Sequence, residues 1–200
     1  KKYLNEFVQR HHRGQGNWLN YTPYEVRIIG ALCKMGWREE AHQLAQFFVS
    51  QSTPTLWHQW PEILWNDLHA PAHIGDLPHS WVGAEYVLSF FTLLYWESVE
   101  KNELTLAAGV PLTWLKGDGF KVKNLFTYFG PINYELRWEK NSVIYFKVSG
   151  QLKSQTNLML CPPLPGPIKE LVINGRKVNM GSDLSTIPLN EIPVEGRIMC

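Results

Sequence analysis

The residues best suited to chemistry lie close together in one stretch, WHQWPEILWNDLHAPAHIGDLPHSWVGAEY, residues 57–86. It holds four of the nine tryptophans and four of the seven histidines, together with two glutamates, two aspartates and three prolines. Carboxyl groups and imidazoles transfer protons, and indole rings bind flat or half-flat ligands. The stretch is therefore typical of a binding or catalytic loop, or of an irregular connection packed by aromatic side chains.

Glu62 is the first candidate for a catalytic group. It is flanked by Trp57, Trp60 and Trp65. Indole walls exclude water, and such surroundings raise the pKa of a carboxyl group toward the range useful for acid or base chemistry. Asp76 is a second candidate, since glycosidic cleavage uses two carboxyl groups about 5–10 Å apart. Structural roles stay open: Glu62 follows Pro61, where a carboxylate favours a helix start, and Asp76 suits a cap or turn.

The histidines raise the question of a metal site. His69 and His73 are four residues apart, and their neighbours include His58, His79, Asp67 and Asp76. Pro71 stands between the pair, so the two imidazoles are not expected on one regular helical face. There is no HExxH pattern and no paired-cysteine spacing. We therefore expect no metal and no cofactor, and assign the histidines to hydrogen bonds with the backbone or with substrate hydroxyls.

The composition excludes several classes of protein. Among 200 residues, 44% are hydrophobic and 18% charged, and the net charge is +1, with lysines and arginines scattered along the chain. A disordered chain, a nucleic-acid partner and a membrane surface are thus not expected. The most apolar run, residues 82–96, is shorter than the about 20 residues of a spanning helix. Cys33, Cys161 and Cys200 are read as reduced, and a periplasmic, secreted or cytoplasmic location stays open.

The first half of the chain has a helical rhythm. Thr22-Pro23-Tyr24-Glu25 matches a capping box, which predicts a helix that runs to Met35 and stops at Gly36. Apolar spacing predicts a second helix over 37–50 and another over 80–97, with the end of an earlier helix at 4–12. The helix at 80–97 is apolar on nearly every face, so neighbours are expected all around it. Trp18, Asn20 and Tyr21 either line a cleft or pack.

The second half has the rhythm of strands. Seven runs rich in β-branched and aromatic residues are bounded by Gly, Pro, Asn and Asp: ELTLAAG, FKVKNL, NYELRWE, SVIYFKVSG, NLMLCPP, IKELVING and GRIMC. Hairpin turns are predicted at 139–141 and at Asn174-Gly175. The sequence predicts an α+β protein, with a helical segment over 1–100 and an antiparallel β-sandwich over 101–200.

Residues 57–96, followed by ELTLAAGVPLTWLKGDGFKVKNLFTYFGPINYELRWE, resemble the C-terminal region of bacterial (α/α)6-barrel glycoside hydrolases that carry a trailing β-sandwich. The pattern is most similar to α-L-rhamnosidase-like six-hairpin glycosidases. The resemblance implies that the helical part is the end of such a barrel. In these enzymes the glutamate after a tryptophan in the late loop is the general base of an inverting mechanism, and here Glu62 follows Trp60 with Pro61 between them.

The resemblance also implies a substrate contact for His79, in the turn before the last helix. Trp57, His58, Trp60, Trp65, Asp76 and Trp81 would line the sugar subsites with it. The general acid would lie upstream of this chain, so the expected partners are a glycoside or oligosaccharide and the remaining N-terminal part of the same enzyme. Two alternatives stay open: a non-catalytic carbohydrate-binding or structural module, and a sugar phosphorylase.

Overall fold

The computed structural model describes residues 19–50, 57–65, 75–179 and 185–200. The predictions made for residues 4–12, Trp18, Asp67, His69 and His73 lie outside these ranges. The chain divides into two compact units, residues 1–93 and 94–200. The described residues contain four α-helices and twelve strands, which confirms the α+β class.

The first unit contains most of the helical structure. Its strands are β1 (Leu19–Tyr21) and β2 (Ile63–Trp65), and its helices are α1 (Thr22–Val26), α2 (Ile28–Lys34), α3 (Arg38–Ser50) and α4 (Ser80–Leu94), the last ending at the boundary between the units. β1 and β2 pair antiparallel, with Leu19 opposite Trp65 and Tyr21 opposite Ile63. The sequence did not predict this pair, because each strand is only three residues long.

The first helix begins at Thr22 as predicted, but its capping box is not formed. Thr22 is fully buried, and its Oγ1 accepts no hydrogen bond from a described residue. The helical segment is also interrupted at Arg27, which separates α1 from α2. The hydroxyl of Ser89, on α4, donates to the carbonyl of Val26 at 3.0 Å. This buried bond engages the last carbonyl of α1, next to the interruption.

The predicted helix stop at Gly36 is confirmed. Gly36 has a φ of +78°, and its N–H donates to the carbonyl of Cys33 while Trp37 N–H donates to that of Leu32. These two bonds are those of a Schellman motif, which needs a left-handed residue and so favours glycine. α3 begins two residues later and forms a helical hairpin with α2, as predicted.

The last helix is shorter than predicted and is not surrounded on every side. It ends at Leu94, and residues 95–98 form a strand, so the helix predicted to reach Glu97 is wrong over its last three residues. Val82, Ser89 and Leu93 are buried. Val87, Leu88 and Phe91 are 51%, 59% and 43% exposed, which leaves an apolar face on the opposite side.

The second unit is built from two sheets. Its strands are β3 (Tyr95–Ser98), β4 (Glu103–Leu106), β5 (Phe120–Thr127), β6 (Gly130–Glu139), β7 (Val143–Gly150), β8 (Asn157–Leu160), β9 (Glu170–Ile173), β10 (Arg176–Val178), β11 (Ile187–Leu189) and β12 (Val194–Met199). One sheet has the order β10-β9-β12-β7-β6-β5 and the other β11-β8-β4-β3. All seven predicted strand runs are observed. The pairing of β4 with β8 is parallel, however, so the all-antiparallel prediction is wrong there.

Both sheets contribute side chains to one hydrophobic core. The four-stranded sheet supplies fully buried Leu104, Leu106 and Leu160, and the six-stranded sheet supplies Ile144 and Phe146. The alternating buried and exposed pattern of β12 shows why one face of each strand reaches this core. The predicted hairpins are present, with Glu139 opposite Val143 and Ile173 opposite Arg176. Asn174 and Gly175 both have positive φ, as a tight hairpin turn requires.

Two further findings concern the cysteines and the helices. Cys33, Cys161 and Cys200 are all described, and none of them forms a disulfide. Within the described ranges, every helix is too short or too polar to cross a lipid bilayer.

Candidate functional site

Glu62 lies where three segments of the first unit meet. Its backbone N–H donates to the carbonyl of Asp76 at 3.1 Å, and its carbonyl accepts from Thr22 N–H at 2.9 Å. Two residues earlier, the carbonyl of Trp60 accepts from His79 N–H at 3.1 Å. The start of α1, the 60–65 segment and the turn before α4 are thus joined by backbone hydrogen bonds. This network fixes the backbone from which the Glu62 side chain extends.

The Glu62 side chain rests on Gly75. A Cβ placed on Gly75 would collide with Glu62 Oε2 and would lie 2.8 Å from Glu62 Cβ. Gly75 also has a φ of +59°, which side-chain-bearing residues rarely adopt. Glycine at this position therefore serves both the turn and the close approach of the carboxylate, which is half-buried.

Trp60 belongs to the hydrophobic core. It is 4% exposed, its Nε1–H donates to the carbonyl of Phe48 at 2.5 Å, and its ring packs on Tyr86 with centroids 4.5 Å apart. Burial raises the pKa of the Tyr86 hydroxyl. The structure thus places the Trp60 indole inside the unit, where it anchors the loop that carries Glu62.

Asp76 and His79 form a second pair of polar groups beside Glu62. His79 Nδ1 lies 3.8 Å from Asp76 Oδ2, and the carboxylate is 85% exposed whereas the imidazole is 15% exposed. The opposite ring nitrogen, His79 Nε2, is buried and has no hydrogen-bond partner among the described residues. The imidazole is therefore held at the edge of the site with one nitrogen toward Asp76.

The remaining predicted residues differ in exposure. Trp57 is 69% exposed and His58 is exposed, with a φ of +49° at His58. Trp65 is the last residue of β2, and its backbone pairs with Leu19. Asn20 and Tyr21 lie in β1, directly before α1. No group of three His, Cys, Asp or Glu side chains suited to a metal ion occurs within the described ranges.

A cluster around Trp81 was not predicted from the sequence. Trp81, 40% exposed, donates from Nε1 to Glu85 Oε1 at 3.1 Å, and Arg27 Nη2 lies 2.6 Å from the same oxygen. The Arg27 guanidinium lies over the rings of Tyr24 and Trp81, 5.2 and 5.8 Å from their centroids. His79 connects this cluster to Asp76, since its ring centroid lies 6.3 Å from that of Trp81. Glu85 could have indicated this cluster in the sequence, because a charged residue within an apolar helix needs a partner for its charge.

The region around Glu62 contains side chains of the types that transfer protons and bind ligands. Backbone hydrogen bonds bring together Glu62, Asp76 and His79, and Trp81 adjoins them through His79. Two carboxylates and an imidazole accept and donate protons, whereas an exposed indole offers a face to an apolar or C–H surface. Backbone hydrogen bonds thus join the segments that carry three of the predicted residues, Glu62, Asp76 and His79.

Comparisons with known proteins include distant likenesses to solved structures. No protein-family model matches the sequence, and no curated protein matches it. The crystal structure of a GH127 β-L-arabinofuranosidase from Geobacillus stearothermophilus T6 aligns with 80% of this chain at 11% identity and a TM-score of 0.35. A second GH127 β-arabinofuranosidase aligns with 61% of the chain at 14% identity and a TM-score of 0.33.

The chain spans 28% and 21% of the length of those two proteins. Both are β-arabinofuranosidases by name, so the matches do not single out rhamnosidase-like proteins. What they establish is a remote likeness of this chain to part of each glycoside hydrolase.

Proposed function

We propose that this chain is the C-terminal portion of a carbohydrate-active enzyme that hydrolyses glycosidic bonds. Residues 1–100 would supply the last helices of an (α/α)6 barrel, and residues 101–200 a C-terminal β-sandwich. Glu62 is the general base: its carboxylate takes a proton from the water that attacks the anomeric carbon. The general acid lies in the part of the enzyme that precedes this chain.

The observation that carries this proposal is the convergence of Glu62, Asp76 and His79. A base must hold its carboxylate within hydrogen-bond reach of the attacking water, which requires a fixed backbone. The bonds from Glu62 to Asp76 and Thr22 provide that fixation. In this proposal Asp76 and the Nδ1 of His79 bind substrate hydroxyls, since His79 Nε2 is buried. Sugar rings stack on the exposed indoles of Trp57 and Trp81, with His58 and Trp65 completing the subsites.

The exposed face of α4 supports the presence of further helices in the complete enzyme. Val87, Leu88 and Phe91 lie on one side of the helix and are each more than two-fifths exposed. A helix that is apolar on nearly every face is stable in water when protein covers it. The remaining N-terminal part of the enzyme would cover this face.

Substitution of Glu62 tests the catalytic assignment in the complete enzyme. Glu62→Gln keeps the size of the side chain but removes the basic oxygen, so kcat should fall by roughly 10²–10⁴-fold on neutral aryl glycosides. Glu39→Gln, at an exposed position on α3, is the matched control and should retain full activity. Unfolding of both variants should match that of the parent. Near-normal turnover by Glu62→Gln would remove the base assignment.

A non-catalytic carbohydrate-binding module is the second candidate. The large exposure of Trp57, at 69%, favours it, because an indole in this position binds sugars without any catalytic group. The two candidates predict different results. Binding by such a module depends on Trp57 and is indifferent to Glu62, and no glycoside is cleaved. Hydrolysis lost in Glu62→Gln with saccharide binding retained would exclude the module.

A further inference from the structure

A groove on the second unit combines apolar side chains with carboxamide groups. It has a volume of about 410 Å³ and lies between the segment that follows β7 and the turn that follows β11. Its apolar lining comes from Leu152, Leu158, Leu189 and Ile192. Its polar lining includes the carboxamides of Gln151, Gln155 and Asn190. Pockets that bind small molecules have this size and this combination of apolar walls with a few polar groups.

The two charged side chains of the groove are engaged by neighbouring residues. The Lys153 ammonium lies 3.7 Å from the centroid of the Tyr128 ring. Glu191 Oε1 accepts from Asn174 Nδ2 at 2.7 Å. Their charges are of opposite sign, so the lining as a whole is neutral. The three carboxamides form no hydrogen bond with the described part of the chain, and each offers both donors and an acceptor.

Gln155, which lines the groove, has an unusual backbone conformation. It occupies the third position of the turn from Lys153 to Thr156, in which Thr156 Oγ1 and N–H both donate to the Lys153 carbonyl. Its φ is +68°, a conformation that favours glycine or asparagine at this turn position. A glutamine here imposes backbone strain that glycine would not. Strained positions of this kind are concentrated at functional sites.

We propose that this groove binds a neutral saccharide. Sugar hydroxyls both donate and accept hydrogen bonds, which matches the carboxamides of Gln151, Gln155 and Asn190. The C–H face of a sugar ring matches the partly exposed side chains of Leu152 and Ile192. An extended peptide fits less well, because the edge strand β11 carries Pro188, which has no N–H for an added strand. The groove contains none of the residues assigned to the Glu62 site, and the proposal does not depend on the proposed hydrolysis.

The test is a titration of the isotope-labelled 200-residue chain followed by nuclear magnetic resonance. The probes are glucose, galactose and cellobiose, with glucuronate as a charged comparison. Binding in the groove predicts saturable shifts of the amides of residues 151–156 and 189–192 with at least one neutral sugar. No saturable shift in those segments with any of the three neutral probes, or saturation with glucuronate alone, would overturn the proposal.

Gln155→Gly separates binding from folding. It relieves the strained φ and should leave the fold intact or more stable, yet weaken saccharide binding about tenfold through loss of a hydrogen bond. The matched control is Asn141→Gly, which makes a similar change at a φ of +59° in the β6–β7 turn and should bind as the parent does. Parent-like affinity in Gln155→Gly would refute the role of the carboxamide. Glu62→Gln should leave this affinity unchanged, so the two proposals fail separately.

Discussion

Replacing Gly196 with alanine should destabilise the second unit, because its place in β12 leaves no room for a side chain. Gly196 lies opposite Phe146 of β7 and Ile173 of β9. An added Cβ would lie 2.6 Å from Phe146 Cζ and would collide with the carbonyl oxygen of Val172. The ring is fully buried, so it cannot swing into solvent. Overpacking of this kind costs about 1–3 kcal/mol, and a backbone collision favours the upper end.

Gly166→Ala is the matched control, since no atom lies within 4 Å of its added Cβ. Hydrogen exchange at the amides of β7 and β9 measures the opening free energy of this unit separately from the first. Gly196→Ala should lower that free energy by about 3 kcal/mol relative to the control. Combination with Phe146→Leu should recover about 1 kcal/mol of it, because the shorter side chain removes the ring atoms that crowd the new methyl, although the collision with the Val172 carbonyl remains. Two results would refute this packing argument. One is an opening free energy of Gly196→Ala within about 0.5 kcal/mol of the control, and the other is that the effects of Gly196→Ala and Phe146→Leu on this free energy simply add in the double variant.

Two further predictions concern single side chains. Tyr134 is 3% exposed and donates to the Leu94 carbonyl at 2.8 Å, and burial raises the pKa of its hydroxyl. Its contribution to stability is therefore complete below the unfolded-state pKa of about 10, and above that pH it falls by about 1.4 kcal/mol per pH unit. Urea unfolding measured at several alkaline pH values should show that the free energy of unfolding falls less steeply with pH in Tyr134→Phe than in the parent. An equally steep fall in the two proteins would contradict the assignment. Leu88, 59% exposed, lies on the apolar face of α4 that the rest of the complete enzyme would cover. Leu88→Lys should therefore change the unfolding free energy of this chain by less than about 0.5 kcal/mol but destabilise the complete enzyme. Calorimetry of the variant and the parent, in this chain and in the complete enzyme, measures both effects.

The sequence predicted elements whose cause is local. The strand runs alternate between buried and exposed positions, and Asn174-Gly175 has the positive φ values of its turn. Gly36 ends α2 because the two hydrogen bonds that close the last turn of the helix require a left-handed residue two positions after Lys34. In each case, neighbouring residues in the chain determine the conformation.

Elements that depend on distant partners were missed. Residues 95–98 continue an apolar helical pattern, but they pair with β4, Tyr95 opposite Leu106 and Ser98 opposite Glu103. β11 contains Pro188, which normally argues against a strand, and it is accommodated at the edge of its sheet. Pairing energy decides both cases, and neither partner can be read from the local pattern.

In the candidate site, too, the residue types could be predicted from the sequence, whereas contacts between distant residues could not. Residue types indicated Glu62, Asp76 and His79, but the backbone bonds that bring them together join three separate segments. The burial of Trp60 was not evident, because its indole packs on Tyr86, 26 positions later in the chain. Arg27 was missed because its partner, Glu85, lies on α4, 58 positions later in the chain.

The parallel pairing of β4 with β8 constrains the order in which the second unit folds. Leu104 lies beside Leu158, and β5, β6 and β7 of the other sheet separate them in the chain. Closing so long a segment is entropically costly before the intervening hairpins have shortened it. The β5–β7 meander should therefore be the early structure in refolding, and the pairing of β4 with β8 should acquire its exchange protection last.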